Sequence, residues 1–195
     1  MLQKFCPTAF DALAKEKEWF LEKHPDLLYP STSSVFSAAT FELGGPHCRT
    51  VAQGVPHRFL PGAFSILTAL GNYNHNRGGH IILWELGFVI CFPPGASIII
   101  PTGVIHYSFV RVRPSETRYS LLQWAGSGIA RYMRNGFNFD SDFAKGSREQ
   151  HAAREERRRA AHAAALDAFP LESELDYCSM SLPFFGIQPT AADNH

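Results

Sequence analysis

Between residues 64 and 125 the chain consists of short apolar runs divided by turn-forming residues, and this pattern constrains the fold most. The runs are rich in β-branched and aromatic side chains and too short for most helices. No amphipathic helical pattern lies between them, which argues against a βαβ sheet. The predicted strands span residues 64–70, 80–86, 88–92, 96–100, 105–112 and 117–124. The sequence therefore predicts a mainly β domain, built as a sandwich or a barrel.

Further elements are expected before and after these strands. Residues 8–23 have an apolar helical face, and Thr8 occupies the capping position of a capping box. After a turn-rich link, residues 35–43 alternate partly between apolar and polar side chains, so we expect an additional strand there. A short helix is predicted at 129–135, and Gly136 should end it because glycine accepts a left-handed conformation.

The C-terminal quarter of the chain changes character. Ser147 is expected to cap a helix that continues through Arg- and Ala-rich sequence to residue 166. This helix has almost no apolar stripe, and the tail beyond it shows little pattern. The predicted division is an N-terminal helix and link at 1–34, a β domain at 35–143, and a charged helix with an irregular tail at 144–195.

The bulk composition excludes several classes of protein. Eighteen basic and eighteen acidic side chains cancel, so no global field attracts nucleic acid or an anionic membrane. Cysteines 6, 48, 91 and 178 are isolated from one another, unlike those of a disulfide-stapled secreted scaffold. The most hydrophobic region, 81–100, is interrupted by Glu85 and by a Pro-Pro-Gly turn, so no membrane span is expected. With no secretory signal evident, we expect an intracellular protein.

One strand–turn–strand unit carries the residues that point to chemistry. Two apolar strands flank the turn at 93–95, and His106 follows the returning strand. In jelly-roll metal enzymes a histidine so placed can face inward, and imidazole suits several transition metals. Arg118 lies twelve residues further on, in a strand, and its guanidinium matches a carboxylate with two parallel hydrogen bonds. The alternatives are a histidine that fills the rim and an arginine paired with Glu116 or Glu85.

Several motifs in this region resemble a fungal, transposon-associated family related to the TET/JBP nucleic-acid base dioxygenases. They are TALG at 68–71, GGH at 78–80, LWEL at 83–86, FPPG at 92–95, IP at 100–101 and ETRYS at 116–120. The resemblance implies a double-stranded β-helix, or jelly roll, that binds Fe(II) and 2-oxoglutarate and oxidises methylated bases in DNA or RNA. By position it implies that His106 is the distal iron ligand and that Arg118 anchors 2-oxoglutarate. It also implies a nuclear location, and His80 does not match a ligand position.

The chain departs from that family at the iron-binding motif. Such enzymes hold iron with two histidines and one carboxylate, and the first pair is written His-x-Asp. Without gaps, the two ligand positions fall on Gly54 and Pro56, which cannot bind metal. With a short deletion, His57 takes the first position and Phe59 stands where the carboxylate belongs.

No aspartate lies between Asp26 and Asp140, so a substitute carboxylate would have to be Glu42 or Glu85. Losing the carboxylate removes a negative ligand and weakens Fe(II) binding. Two histidines can still hold a metal when water completes the site. The sequence therefore favours impaired catalysis over retained catalysis.

The C-terminal helix and the remaining aromatic and histidine residues give weaker signals. His75 and His80 flank a glycine-containing loop and could meet a metal, but loop histidines seldom do so. Side chains that could stack an extruded base, or else fill a core, are Trp84, Trp124 and Tyr132. Side chains that could contact the phosphates of DNA or RNA, or else form Glu–Arg pairs on a solvated helix, are Arg154, Arg157, Arg158 and Arg159.

Three functional hypotheses follow. The favoured one is a dioxygenase-fold protein whose catalysis is impaired because the His-x-Asp motif is missing. The second is an active base dioxygenase that uses His57 and His106. The third is a nucleic-acid-binding module without chemistry.

Overall fold

The computed structural model describes residues 2–29, 31, 33–43, 64–143, 146–171 and 173. Its helices are α1 (Leu2–Phe5), α2 (Pro7–Lys23), α3 (Ser127–Arg134), α4 (Asp140–Phe143) and α5 (Arg148–Asp167). Its strands are β1 (Ala38–Leu43), β2 (Ser65–Asn72), β3 (Ile81–Leu83), β4 (Phe88–Ile90), β5 (Ser97–Ile100), β6 (Tyr107–Phe109) and β7 (Thr117–Trp124). His57 and the other residues proposed for the missing iron motif lie outside these ranges.

The strands form two antiparallel sheets that share one core. One sheet has the order β1–β7–β2–β5 and the other the order β4–β3–β6. Alternate residues of β2 are buried, as a strand with one face on a core requires. Core residues come from both sheets: Leu67, Ala69, Ile81, Leu83, Ile100 and Tyr107, with Tyr73 and Phe92 from the connections. The fold is mainly β and built from two facing antiparallel sheets in a jelly-roll arrangement, as the sequence predicted.

A second apolar cluster joins the N-terminal helices to the opposite face of the larger sheet. Leu2, Cys6 and Ala9 are buried there against Phe36 and Phe64. Ile66 and Ile99 reach this cluster from β2 and β5, while their neighbours along the strands face the barrel core. The ring of Phe169, just after α5, lies 5.1 Å from that of Phe64, between centroids. The two strands therefore have an apolar layer on each side.

Helix boundaries confirm some sequence predictions and correct another. Ser147 caps α5 in a full capping box. Its hydroxyl accepts from the backbone N–H of Gln150, and the Gln150 side chain accepts from the backbone N–H of Ser147. Gly136 follows α3 with a φ of +67°, which confirms it as the helix stop. The Thr8 prediction was wrong, because Pro7 opens α2 and Cys6 is the capping residue without a side-chain bond. Proline is well suited to the first turn, where its missing N–H costs nothing.

No helix in the described part of the chain is both long enough and apolar enough to cross a membrane.

Candidate functional site

His106 immediately precedes β6, and its described side-chain contact is with Glu85. Glu85 lies in the turn after β3, and its Oε2 accepts from the His106 backbone N–H at 2.7 Å. Its Oε1 contacts the imidazole Nδ1 of the same residue. Partial desolvation alone would raise the pKa of the Glu85 carboxyl, but the hydrogen bonds from His106 outweigh it and lower this pKa. Both side chains are more than a third exposed, so the pair lies at the rim of the barrel.

Tyr107 is the first residue of β6, and its side chain lies in the barrel core. Its side chain is 1% exposed and belongs to the core, and its ring packs edge-on against that of Phe109, two residues later. Ser108 lies between them in the strand and instead accepts a hydrogen bond from the Trp84 indole at 3.1 Å. Because side chains alternate between the two faces of a strand, β6 sends Tyr107 and Phe109 toward β7.

Arg118 lies on β7 and faces that interior. Its guanidinium stacks 3.5 Å from the centroid of the Phe109 ring, and its Nη1 donates to Ser120 Oγ at 2.8 Å. The Nε and Nη2 atoms are shielded from solvent. Burial raises the pKa of Tyr73. The positive charge of Arg118 and a side-chain hydrogen bond between Arg118 and Tyr73 act to lower this pKa, but by less. The tyrosine hydroxyl itself donates to the Phe92 carbonyl. The ring of Phe109 and the hydroxyl of Ser120 thus position the Arg118 guanidinium inside the jelly roll.

Glu42 enters the same interior from the edge strand β1. It pairs directly with Ser120 across the β1–β7 ladder, so both side chains lie on one face of the sheet. Its neighbours Phe41 and Leu43 point outward and are 67% and 83% exposed. Within the described residues, neither Glu42 Oε1 nor the Tyr107 hydroxyl has a hydrogen-bond partner, although both atoms are buried. Burial and the charge of Glu42 raise the pKa of Tyr107 strongly, against a smaller opposite effect of Arg118.

The described contacts of His106 and of Arg118, which the sequence analysis treated as a pair, involve different residues. The described contacts of His106 go to Glu85, whereas those of Arg118 go to Phe109, Ser120 and Tyr73. The expected alternative partners of Arg118 are engaged elsewhere, since Glu85 binds His106 and Glu116 accepts from the Arg113 and Asn74 amides. The metal role of His106 and the carboxylate role of Arg118 remain predictions.

The described residues around Arg118 suit a carboxylate. In the described ranges no three His, Cys, Asp or Glu side chains are grouped so that they could hold a metal, and this includes His75 and His80. His57 lies outside the described residues. A guanidinium enclosed by aromatic rings next to a buried phenol hydroxyl instead supplies donors that a carboxylate accepts.

The three aromatic residues considered for base stacking lie on different elements. Trp84 is 57% exposed and bonded to Ser108, and the Trp124 indole donates to Thr40 at 3.2 Å. Tyr132 of α3 instead belongs to a cluster with the rings of His24, Phe137 and Phe139. The described contacts do not assemble them into one stacking platform.

The arginine-rich face of α5 is solvated and partly self-neutralised. Arg158 forms a 2.7 Å ion pair with Glu155, and Arg159 lies 3.6 Å from the same carboxylate. Hydrogen bonding from Arg158 is the main reason why the pKa of Glu155 is lowered. The Glu155–Arg159 pair expected from the sequence is thus confirmed. Such exposed pairs stabilise a helix only slightly.

Comparisons with known proteins were made by sequence and by structure. No protein-family model and no curated protein matches the chain. A solved structure of NgTET1 in complex with 5mC DNA matches with 14% identity and a TM-score of 0.41, covering 64% of this chain and 51% of that chain. Our chain therefore spans about half of the length of that structure.

The viral collagen prolyl hydroxylase vCPH of Paramecium Bursaria Chlorella virus-1 matches in two forms, each 14% identical. Its truncated form gives a TM-score of 0.32 and covers 60% of this chain and 68% of that chain. Its 2OG complex gives 0.28, with 60% and 72% covered. All three matches are low in identity and TM-score, and the architecture of this chain rests on the strand order of its own two sheets.

Sequence reasoning missed Tyr107 and Tyr73, and it weighed Glu42 only as a substitute iron ligand. The alternation of β6 was the available signal. Tyr107 and Phe109 share one face of the strand. Tyr107, and not its neighbour His106, therefore packs against the Phe109 ring that contacts Arg118. Tyr73 lies in a loop, where no periodic pattern indicates which side chain turns inward.

Proposed function

We propose that this chain is a dioxygenase-fold protein that keeps a carboxylate-binding site at Arg118 but whose iron-dependent catalysis is impaired. The fungal, transposon-associated relatives of the TET/JBP enzymes are the family that its motifs indicate. On this proposal the ancestral reaction was oxidation of a methylated base, and 2-oxoglutarate is the ligand that the remaining site was built for.

The position of Arg118 carries the proposal. Its guanidinium lies inside the barrel between Phe109 and Ser120, with two of its nitrogens shielded from solvent. A guanidinium in this position matches a carboxylate with two parallel hydrogen bonds. The imidazole of His106, by contrast, is bound at the rim by Glu85. The Arg118 contacts support retention of the carboxylate site, and the missing His-x-Asp motif supports impairment of the metal site.

Anaerobic calorimetry of 2-oxoglutarate binding, with and without Mn(II) in place of Fe(II), tests the proposal. We expect binding that Mn(II) changes less than about threefold, because the carboxylate contributes through Arg118 and not through a metal. Arg118→Ala should remove it, a loss of at least about tenfold in affinity. Arg111→Ala is the matched control, since Arg111 is exposed in the loop before β7 and should bind as the wild type does.

Two results would overturn the proposal. Binding that is absent from the wild type, or unaffected by Arg118→Ala, would remove the carboxylate site. Binding that requires Mn(II), together with succinate formation under air with Fe(II), would instead establish the active enzyme with His57 and His106 as ligands.

A further inference from the structure

Two buried oxygen atoms face the Arg118 site, and within the described part of the chain neither has a hydrogen-bond partner. They are Oε1 of Glu42 and the hydroxyl of Tyr107, whose side chain is 1% exposed. Buried polar atoms in proteins are nearly always bonded, so each of these two atoms calls for a further partner, either water or a ligand. These two atoms come from opposite sheets of the barrel, which places the indicated space between the sheets.

Ser120 connects both of these groups to the guanidinium. Glu42 is the direct cross-strand partner of Ser120, and Arg118 donates to the Ser120 hydroxyl at 2.8 Å. Glu42, Ser120 and Arg118 thus share the inward face of the larger sheet. Tyr107 extends toward them from β6 of the other sheet, and the charges of both Glu42 and Arg118 act on it. The site therefore has a cationic end, an anionic end and a phenol that reaches both.

The hydrogen-bonding capacities of these groups define what they would bind. A guanidinium only donates, a carboxylate only accepts, and a phenol hydroxyl does both. A ligand that contacts all three groups would place an acceptor such as a carboxylate against Arg118 and a hydrogen-bond donor against Glu42. A keto acid has no donor beyond its carboxyl groups, so it leaves the Glu42 oxygen without a bond.

We propose that the interior site takes a small carboxylic acid bearing a hydroxyl group, held by Arg118, Tyr107 and Glu42, in preference to the corresponding keto acid. The inference rests on the proposed function only in that Arg118 binds the carboxylate. The identity of the second group, and with it the selectivity between hydroxyl and ketone, is assigned to Glu42 and Tyr107.

The test compares three probes on the full chain by calorimetry without added metal: 2-hydroxyglutarate in both enantiomers, 2-oxoglutarate and glutarate. One enantiomer of 2-hydroxyglutarate should bind at least about tenfold more tightly than the other two acids, the ratio expected for one bond to a charged acceptor. Glu42→Gln should bring the ratio of the hydroxy acid to the keto acid close to one, because its amide can donate to a ketone. Tyr107→Phe should weaken binding of the hydroxy acid by about tenfold.

Two control variants test whether the ratio of hydroxy-acid to keto-acid affinity depends on Glu42 and Tyr107. Glu149→Gln on α5 and Tyr119→Phe on the outward face of β7 should leave the ratio unchanged. Equal binding of the three acids to the wild type would overturn the inference, and so would a ratio that Glu42→Gln does not alter. In either case, binding that depends on Arg118 would still uphold the proposed function. Binding of every acid that survives Arg118→Ala would overturn both. The wild-type ratio needs no variant, so a variant that fails to fold cannot leave the question open.

Discussion

Gly71 is the residue whose backbone leaves least room for change. Its φ is +106°, and a Cβ built there would lie 2.4 Å from the Thr117 carbonyl oxygen on the neighbouring strand. Both the left-handed backbone and the close approach of β7 therefore require glycine. We expect Gly71→Ala to lower the free energy of unfolding by more than about 2 kcal/mol, measured by urea denaturation.

Gly87 is the matched control, because its φ is +64° but nothing lies within 4 Å of an added Cβ. Gly87→Ala should cost only about 1 kcal/mol, the ordinary penalty for a left-handed alanine. If both variants lose the same stability, the contact with Thr117 contributes nothing.

Glu116 gives a pH dependence with a definite sign. Its carboxylate accepts from the Arg113 amide at 2.9 Å and from the Asn74 amide at 3.0 Å, and these bonds lower its pKa from the usual 4.5. A carboxyl whose pKa is lowered by folding stabilises the fold above its unfolded pKa, and this stabilisation is lost as the pH falls through the folded pKa. The wild type should thus be more stable than Glu116→Gln at pH 7, with the difference shrinking below the usual carboxyl pKa and vanishing only below the lowered one.

Urea midpoints measured from pH 7 down to pH 3 test this expectation. Glu149→Gln on the solvated helix provides the control, and its difference from the wild type should stay constant. A Glu116→Gln difference that grows as the pH falls would contradict the assigned hydrogen bonds.

Among individual residues, the sequence indicated only some members of the candidate site. Arg118 could be found because an arginine on a strand near a histidine is a recognisable combination. Tyr107 could not, because motif matching favoured the adjacent imidazole and only the three-dimensional register shows which of two neighbours enters the barrel. The contact of Glu85 with His106 joins a turn to a strand start, and such a pairing depends on the fold.

Among the elements, α5 is the one whose surface could be recruited by nucleic acid. Glu155 pairs with both Arg158 and Arg159, which lowers the charge available to phosphates. Replacing Arg157, Arg158 and Arg159 with Gln should therefore change the affinity for duplex DNA by less than about threefold. Glu155→Gln should release the paired arginines and make log K fall more steeply with log salt.

Fluorescence anisotropy over a salt series with a labelled duplex and a labelled RNA checks both variants. Glu149→Gln, in the first turn of the same helix, changes charge equally without releasing a pair. Loss of a strong, salt-dependent wild-type affinity in the triple variant would instead establish α5 as a nucleic-acid surface.

The success of element prediction depended on how each segment is bounded. β7 was predicted at its observed limits, because Pro114 and Glu116 precede it on one side and Gly126 follows it closely on the other. β6 was predicted at 105–112 but spans only Tyr107–Phe109, because pairing with the three-residue β3 limits it. The helix cap at Thr8 was wrong because the effect of Pro7 on the first turn was not weighed against it.

For the whole molecule, the two apolar layers of the larger sheet determine how the chain holds together. The barrel core lies on one face and the N-terminal cluster on the other, and β2 contributes to both through Leu67 and Ile66. The alternating pattern of β2 was visible in the sequence. That helices would cover its second face was not, because a helix with an apolar stripe does not indicate which surface it will cover.

One thiol lies in the N-terminal cluster and another beside the barrel, so chemical labelling can time the separate opening of the two regions. Cys6 is 7% exposed in the N-terminal cluster, and Cys91 donates to the His75 carbonyl at 3.3 Å beside the barrel. Burial raises the pKa of both thiols, which slows their reaction with alkylating reagents. In a background with Cys48 and Cys178 replaced by Ser, each remaining thiol can be followed in a variant that retains it alone.

Cys6 should then react more slowly than Cys91 in the folded protein, since it becomes accessible only when the helices detach. Phe169→Ala removes a ring that packs on Phe64, so it should accelerate labelling of Cys6 by roughly tenfold and leave Cys91 unchanged. Equal acceleration of both thiols would show that the layers open only together. Acceleration of Cys6 labelling alone would mean that the helical layer detaches while the barrel around Arg118 stays closed.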